Sequence, residues 1–193
     1  MPTRKKSPAK KPSAPKKSAS RKTPAKAPAP TRAAPAGASA LEGKKAPDFE
    51  LPAAGGERVA LHDLIGAHNL VLYFYPRDMT PGCTTEACSF RDNLADVRGL
   101  GAEVAGVSAD SAASHAKFRD KYALNFPLLS DEGNKVGRLY GVYKMKSQYG
   151  RQFMGIERTT FVIDRAGVIR KVFPKVKVAG HTAQVIDALR QLA

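Results

Sequence analysis

The chain has 193 residues, 42% of them hydrophobic, with two cysteines, no tryptophan and a formal net charge of +15. That length suits one domain with an appendage, and no apolar run is long enough to cross a membrane or to form the core of a secretory signal. The charge is unevenly spread: residues 1–45 carry thirteen Lys or Arg against one acid, Glu42, whereas residues 46–193 carry nineteen against sixteen.

The first 45 residues are built from Lys, Arg, Pro, Ala and Ser, with almost no large apolar side chain and no aromatic. Such a segment cannot bury enough surface to offset ordering entropy, and its recurrent prolines interrupt any helix. A disordered basic tail is expected over 1–45, followed by one globular domain over 46–193. A transit peptide would want an amphipathic apolar face, usually with Arg, and this tail is Lys-rich with hardly any Leu or Phe. Its texture, including Ser-Pro-Ala-Lys-Lys from Ser7 to Lys11, resembles linker-histone tails. Such a tail binds polyanions by counterion release, so sequence-independent DNA binding through 1–45 is expected as an accessory property.

From Pro47 onward short apolar runs alternate with amphipathic segments. Leu70 to Tyr75 read as a buried strand ended by Pro76, and Thr84 to Gly99 as a helix. Glu103 to Ala109 form a second strand. A helix from Ser111 to Leu124 is opened by a Ser cap and turns Phe118, Tyr122 and Leu124 to the core. Phe126 to Asp131 are extended, and a short helix follows, closed by Gly141. Thr159 to Phe173 read as a hairpin turned at Asp164, Ala166 and Gly167. The chain closes on an amphipathic helix with Val185, Ile186, Leu189 and Leu192 apolar. Strands alternating with helices, then a hairpin and a last helix, predict an α/β sandwich around a mixed sheet.

Both cysteines fall at one strand-to-helix junction, as Cys83 and Cys88. Backbone N–H groups point outward there and the helix dipole favours thiolate, the nucleophilic form. Pro81 suits the first helical turn, and Thr80 is the expected N-cap, its hydroxyl within reach of the space before the sulfur. An arbitrary pair of free cysteines is more often inert core; here the flanking residues argue for chemistry. The five-residue interval lacks the Cys-x-x-Cys spacing of a thioredoxin-type reductase. His62, His68, His115 and His181 are scattered, so no zinc site is expected, and no Gly-rich nucleotide loop occurs around Gly99 and Gly101. Asp78 and Glu86 flank the junction and read as exposed dipole partners. Lys144, Lys146 and Arg151 read as a solvated basic loop.

The spacing Pro76-x-x-x-Thr80-x-x-Cys83 resembles the active-site signature of the peroxiredoxins, and a partner cysteine five residues on resembles the peroxiredoxin Q, or bacterioferritin comigratory protein, branch. The likeness runs from about Ala46 to the C-terminus and includes Ala46 to Pro52, Gly106 to Ser111 and Gly155 to Gly167. It implies a thioredoxin-like fold, Cys83 as peroxidatic nucleophile, Cys88 as resolving thiol, and Thr80, Pro76 and Arg158 as catalytic partners, with no cofactor and no metal. It further implies hydroperoxide substrates, recycling by thioredoxin or a similar dithiol, and a monomer. Five residues along an α-helix separate Cα atoms by about 8.6 Å, beyond the reach of about 7 Å for a disulfide, so two cysteines in one helix would demand local unwinding. The alternative is a nucleoid- or chromatin-binding protein with a passive peroxiredoxin-like module. Reactive thiols suit a reducing cytoplasm, with nucleoid association through the tail, or a nucleus or organelle in a eukaryotic host.

Overall fold

The computed structural model describes residues 37–192 apart from Tyr149. A 3-10 turn, Ala38–Leu41, precedes strands β1 (Glu50–Pro52) and β2 (Arg58–Ala60) and a one-turn helix α1 (Leu61–Leu64). Then follow β3 (Asn69–Phe74), α2 (Pro81–Asp92), α3 (Leu94–Gly99), β4 (Ala102–Ser108), α4 (Ala112–Tyr122), β5 (Leu128–Ser130) and α5 (Lys135–Leu139). The chain continues through β6 (Tyr143–Gln148), β7 (Arg151–Ile156), β8 (Thr159–Ile163), β9 (Ile169–Phe173) and α6 (His181–Arg190).

The central sheet runs β5-β4-β3-β8-β9, with β3, β4 and β5 parallel and β8 and β9 antiparallel to their neighbours. Every residue of β3 and β8 is buried, as a strand covered on both faces requires. One face carries Leu70, Leu72, Phe74, Tyr140 and Phe161; the other carries Val71, Tyr73, Phe90, Phe118, Val185 and Leu189. Each such side chain contributes roughly 1.5–3 kcal/mol on full burial. The expected mixed α/β sandwich is therefore present. The Ser111 cap receives the Ser114 N–H, and the β8–β9 turn uses Gly167 at φ +77° with Asp164 accepting from Val168 N.

Three expectations differ from the structure, which also adds the unexpected β1–β2 hairpin. The helix expected to run to Gly99 has Pro81 in its first turn and Thr80 at its N-cap position, as expected, but breaks at Asn93. The Asn93 amide donates to Ser89 O at 2.8 Å, a local bond that competes with helix continuation. The basic loop around Lys144, Lys146 and Arg151 is the β6–β7 hairpin, turned at Gly150 with φ +75°. Lastly, residues 1–36 of the expected disordered tail lie outside the described residues, but its end is ordered. Gly43 N donates to Ile169 O, Ile169 N to Lys44 O and Val172 N to the Glu42 carboxylate. Ala38 joins the core. Order thus begins before the 45/46 boundary, because this stretch covers the open edge of β9, whose N–H and C=O groups need partners.

Candidate active site

The site forms where β3 ends. Its neighbour β8 pairs antiparallel with Phe74 opposite Thr159, so Arg158, just before β8, arrives beside the loop leaving β3. That loop, Tyr75 to Thr80, feeds α2, whose first residues are Pro81, Gly82 and Cys83. Pro81 lacks only an N–H that the first turn leaves unpaired. Cys83 is 1% exposed and packs in the cluster of Tyr73, Tyr75, Ala87 and Phe90.

Arg158 Nη2 donates to Cys83 Sγ at 3.2 Å, while its Nη1 pairs with Glu86 Oε2. Glu86 lies one helical turn after Cys83 and its side chain is only 1% exposed. Burial pushes its carboxyl up to about 7, opposed by the charge and hydrogen bond of Arg158. The same burial would depress Arg158, but Glu86 and Cys83 hold the guanidinium above its usual range. Glu86 Oε1, Tyr73 Oη and Thr84 Oγ1 are buried with no hydrogen-bond partner among the described residues. Burial drives Tyr73 well above the ordinary tyrosine range, reinforced by the charges of Glu86, Cys83 and Asp78. Lys146 brings a further cation: its Nζ donates to Ile156 O, and burial and Arg158 lower its pKa against Glu157 and Cys83.

The remaining candidates fall into place unequally. Thr80 occupies the N-cap position, but its hydroxyl donates to Arg77 O at 3.0 Å and caps nothing. Pro76 is exposed and lines a groove of about 280 Å³ with Lys146, Phe153 and Met154. Cys88 is half-buried on the same helix as Cys83, and both are free thiols. Continuous helix between them keeps their Cα atoms about 8.6 Å apart. Ser89 Oγ lies 2.7 Å from Thr182 Oγ1, tying this half of α2 to α6.

Asp78 and Glu86, expected as exposed dipole partners, are both buried. Asp78 Oδ1 accepts from Tyr75 Oη at 2.7 Å, its Oδ2 from Ser114 Oγ at 2.7 Å, and His115 Nδ1 stands 2.9 Å from Oδ2. Burial alone would raise its carboxyl, but the bonds from His115, Ser114 and Tyr75 hold it below the usual range. Asp78 lies inside the motif and Glu86 just after it, and partners distant in sequence, Arg158 before β8 and Ser114 and His115 in α4, draw them inward. His181 is likewise buried, its Nε2 2.8 Å from Thr160 Oγ1, and burial pushes it down to about 4. Among the described residues, no group of three or more His, Cys, Asp or Glu side chains is arranged to hold a metal ion. No helix there is long and apolar enough to cross a membrane.

Residues 42–172 match the model of the AhpC/TSA family. A putative peroxiredoxin bcp of Coxiella burnetii is 52% identical over 147 residues, covering 76% of this chain and 97% of the relative. Peroxiredoxin Bcp of Bacillus subtilis is 48% identical over 151 residues, covering 78% and 96%. Among solved structures, Xanthomonas campestris peroxiredoxin Q superposes with a TM-score of 0.70 at 43% identity, covering 74% of this chain and 90% of that one. With a buried cysteine under an arginine at a strand-to-helix junction, and relatives matched over nearly their whole length, the chain belongs to the AhpC/TSA family as a peroxiredoxin of the Bcp and peroxiredoxin Q kind.

Proposed function

We propose that Cys83 is the peroxidatic nucleophile of a thiol-dependent peroxidase acting on hydrogen peroxide and organic hydroperoxides, and that Cys88 resolves it. The observation that carries this reading is the Arg158 guanidinium, 3.2 Å from Cys83 Sγ and itself steadied by Glu86. The Cys83 thiolate attacks the terminal peroxide oxygen; the S–O bond forms as the O–O bond breaks, and the departing oxygen takes up a proton to leave as water or alcohol. Arg158 and the free N–H groups of the first turn of α2 would stabilise charge on the breaking bond. The Xanthomonas campestris relative has alkyl peroxide reduction activity, which supports organic hydroperoxides among the substrates. Thr80, at the N-cap, would turn its hydroxyl from Arg77 O toward peroxide, and Pro76 would wall the site.

Cys83 sulfenic acid then condenses with the Cys88 thiol, forming the S–S bond and releasing water. The spacing of the two Cα atoms in α2 requires the helix to unwind first. A dithiol such as thioredoxin reopens the bond by exchange. The paired test is stopped-flow kinetics on Cys83→Ser and Cys88→Ser. The first should lose peroxide turnover entirely, since an alcohol does not replace a thiolate at neutral pH. The second should keep the first reduction and lose thioredoxin-dependent recycling. Turnover by Cys83→Ser contradicts the assignment.

We further propose that the protein works as a monomer in a reducing cytoplasm, and that residues 1–45 hold it on nucleic acid. Thirteen bases in that stretch could neutralise roughly 6–10 phosphates, which predicts a loss of about 10³–10⁵ in DNA affinity between 50 and 200 mM salt. Fluorescence anisotropy across a salt series checks this; a flat response, or equal binding by a chain lacking 1–36, removes the tail as an anchor.

A further inference from the structure

The loop that carries Pro76 and Thr80 to the thiol is held at one place. Of the five residues Pro76 to Thr80, only Asp78 is buried. Met79 beside it sits at φ +56°, a left-handed conformation that is strained for a non-glycine residue and persists only when its surroundings enforce it. The enforcement is visible at Asp78. Its side chain takes the Tyr75 and Ser114 hydroxyls and faces His115, and its own N–H donates to Asp110 Oδ2 at 2.8 Å. Asp110 is fixed in turn by the Ser108 hydroxyl at 2.7 Å, and Ser130 Oγ donates to Asp110 O at 2.6 Å. His115 is wholly buried, with Nε2 3.2 Å from Leu129 O. Its two ring nitrogens thus face the Asp78 carboxylate on one side and the Leu129 carbonyl on the other. A buried carboxylate holding this many hydrogen bonds is costly to strip of its partners, so the cluster is rigid.

These contacts reach α4, β5 and the end of β4, and none reaches α2. Resting on the peroxidase reading above, we propose that Asp78 is a positioning residue: clamped by Tyr75, Ser114 and His115, it fixes the Pro76–Thr80 loop against Cys83 for peroxide reduction, and it stays engaged when α2 unwinds for disulfide formation. The clamp acts through the loop and never touches substrate. It sets the geometry of the first step and leaves the second alone.

The test compares Asp78→Ala with Ser130→Ala, which breaks a bond of the same network away from the loop. Well below the melting temperature, Asp78→Ala should slow Cys83 oxidation by peroxide about 10–100-fold, the cost of a loosened reacting geometry. Disulfide formation from the sulfenic acid should keep its rate. Asp78→Asn, which retains an acceptor for Tyr75, should recover part of the loss, and Ser130→Ala should lower stability without slowing oxidation. If Asp78→Ala does not fold, Tyr75→Phe removes one donor at constant shape and should slow oxidation a few-fold. A wild-type rate in Asp78→Ala, or equal slowing by Ser130→Ala, overturns the proposal. Hydrogen exchange at the Asp78 amide, which donates to Asp110 Oδ2, needs no turnover: at this position it should rise in Asp78→Ala and not in Ser130→Ala, and unchanged protection also overturns the clamp. A wild-type protein inert to peroxide would instead defeat the peroxidase reading, with the exchange result still deciding the clamp.

Discussion

The two halves of α2 are held by different physics. The first, Pro81 to Glu86, buries only Cys83 and Glu86 and leaves Pro81, Gly82 and Thr85 exposed; its anchor is the charge of Arg158, shared between the thiol and the carboxylate. The second half buries Ala87 and Phe90, packs the Phe90 ring against Tyr73 with centroids 5.0 Å apart, and bonds Ser89 to Thr182 and Arg91 to Tyr122 O. On the reading proposed above, in which the Cys83 thiolate becomes a sulfenic acid, the charge-held half can respond, since the product offers the guanidinium no full negative charge. The packed half has no such dependence. Unwinding should therefore start at Cys83 and stop near Phe90.

Removing the charge gives the largest expected effect. Arg158→Ala should slow peroxide reduction about 10²–10³-fold, the usual cost of losing one donor aimed at developing charge, while thioredoxin-dependent reduction of a preformed disulfide stays intact. Stopped-flow measurement of both half-reactions checks this, and equal slowing of the two would mean the arginine serves only the fold.

Glu86 sharpens the contrast through pH. Its folded carboxyl titrates at about 7 against a usual 4.5, so between those values the folded chain holds a proton the unfolded chain lacks. Stability from this group is present below the unfolded value and is lost as pH rises through the folded one. Relative to Glu86→Gln, the wild type should lose on the order of 2 kcal/mol between about pH 5 and pH 8. Urea denaturation of both proteins at the two pH values measures it; parallel stability curves would show that Arg158 fully compensates the buried charge.

The smallest effect belongs to the packed half. Thr182→Val removes the partner of Ser89 at nearly constant shape and should cost about 1 kcal/mol. If that bond must open during resolution, disulfide formation should quicken about fivefold, with the first step unchanged. No acceleration would place the unwinding boundary before Ser89.

The sequence made the thiol legible and hid what governs it. Pro76, Thr80 and Cys83 stand in the spacing that carries the peroxiredoxin resemblance, the resemblance alone singled out Arg158, and the turn residues Asp164, Ala166 and Gly167 marked the hairpin that follows it. Glu86 and Asp78 were opaque because an acid in a first or second helical turn looks solvated until its partner is known. Those partners lie 72 and 37 positions away. The β6–β7 hairpin did offer a signal, since Tyr143, Met145 and Ser147 alternate with lysines, but the lysines suggested solvent. The break at Asn93 depends on one side chain turning back on Ser89 O, a choice that helical periodicity does not encode.

The central claim, that α2 must unwind for Cys83 and Cys88 to meet, is tested most directly by treating the reduced protein with one equivalent of hydrogen peroxide. Peptide-resolved mass spectrometry then reads disulfide linkage and amide exchange over Pro81 to Leu100 together. A Cys83–Cys88 disulfide within one chain is predicted, with protection lost from Thr84 onward in α2 and kept in α3 at Val97 and Leu100. A lasting sulfenic acid at Cys83 with Cys88 still free, or a disulfide formed with the whole of α2 still protected, would contradict it.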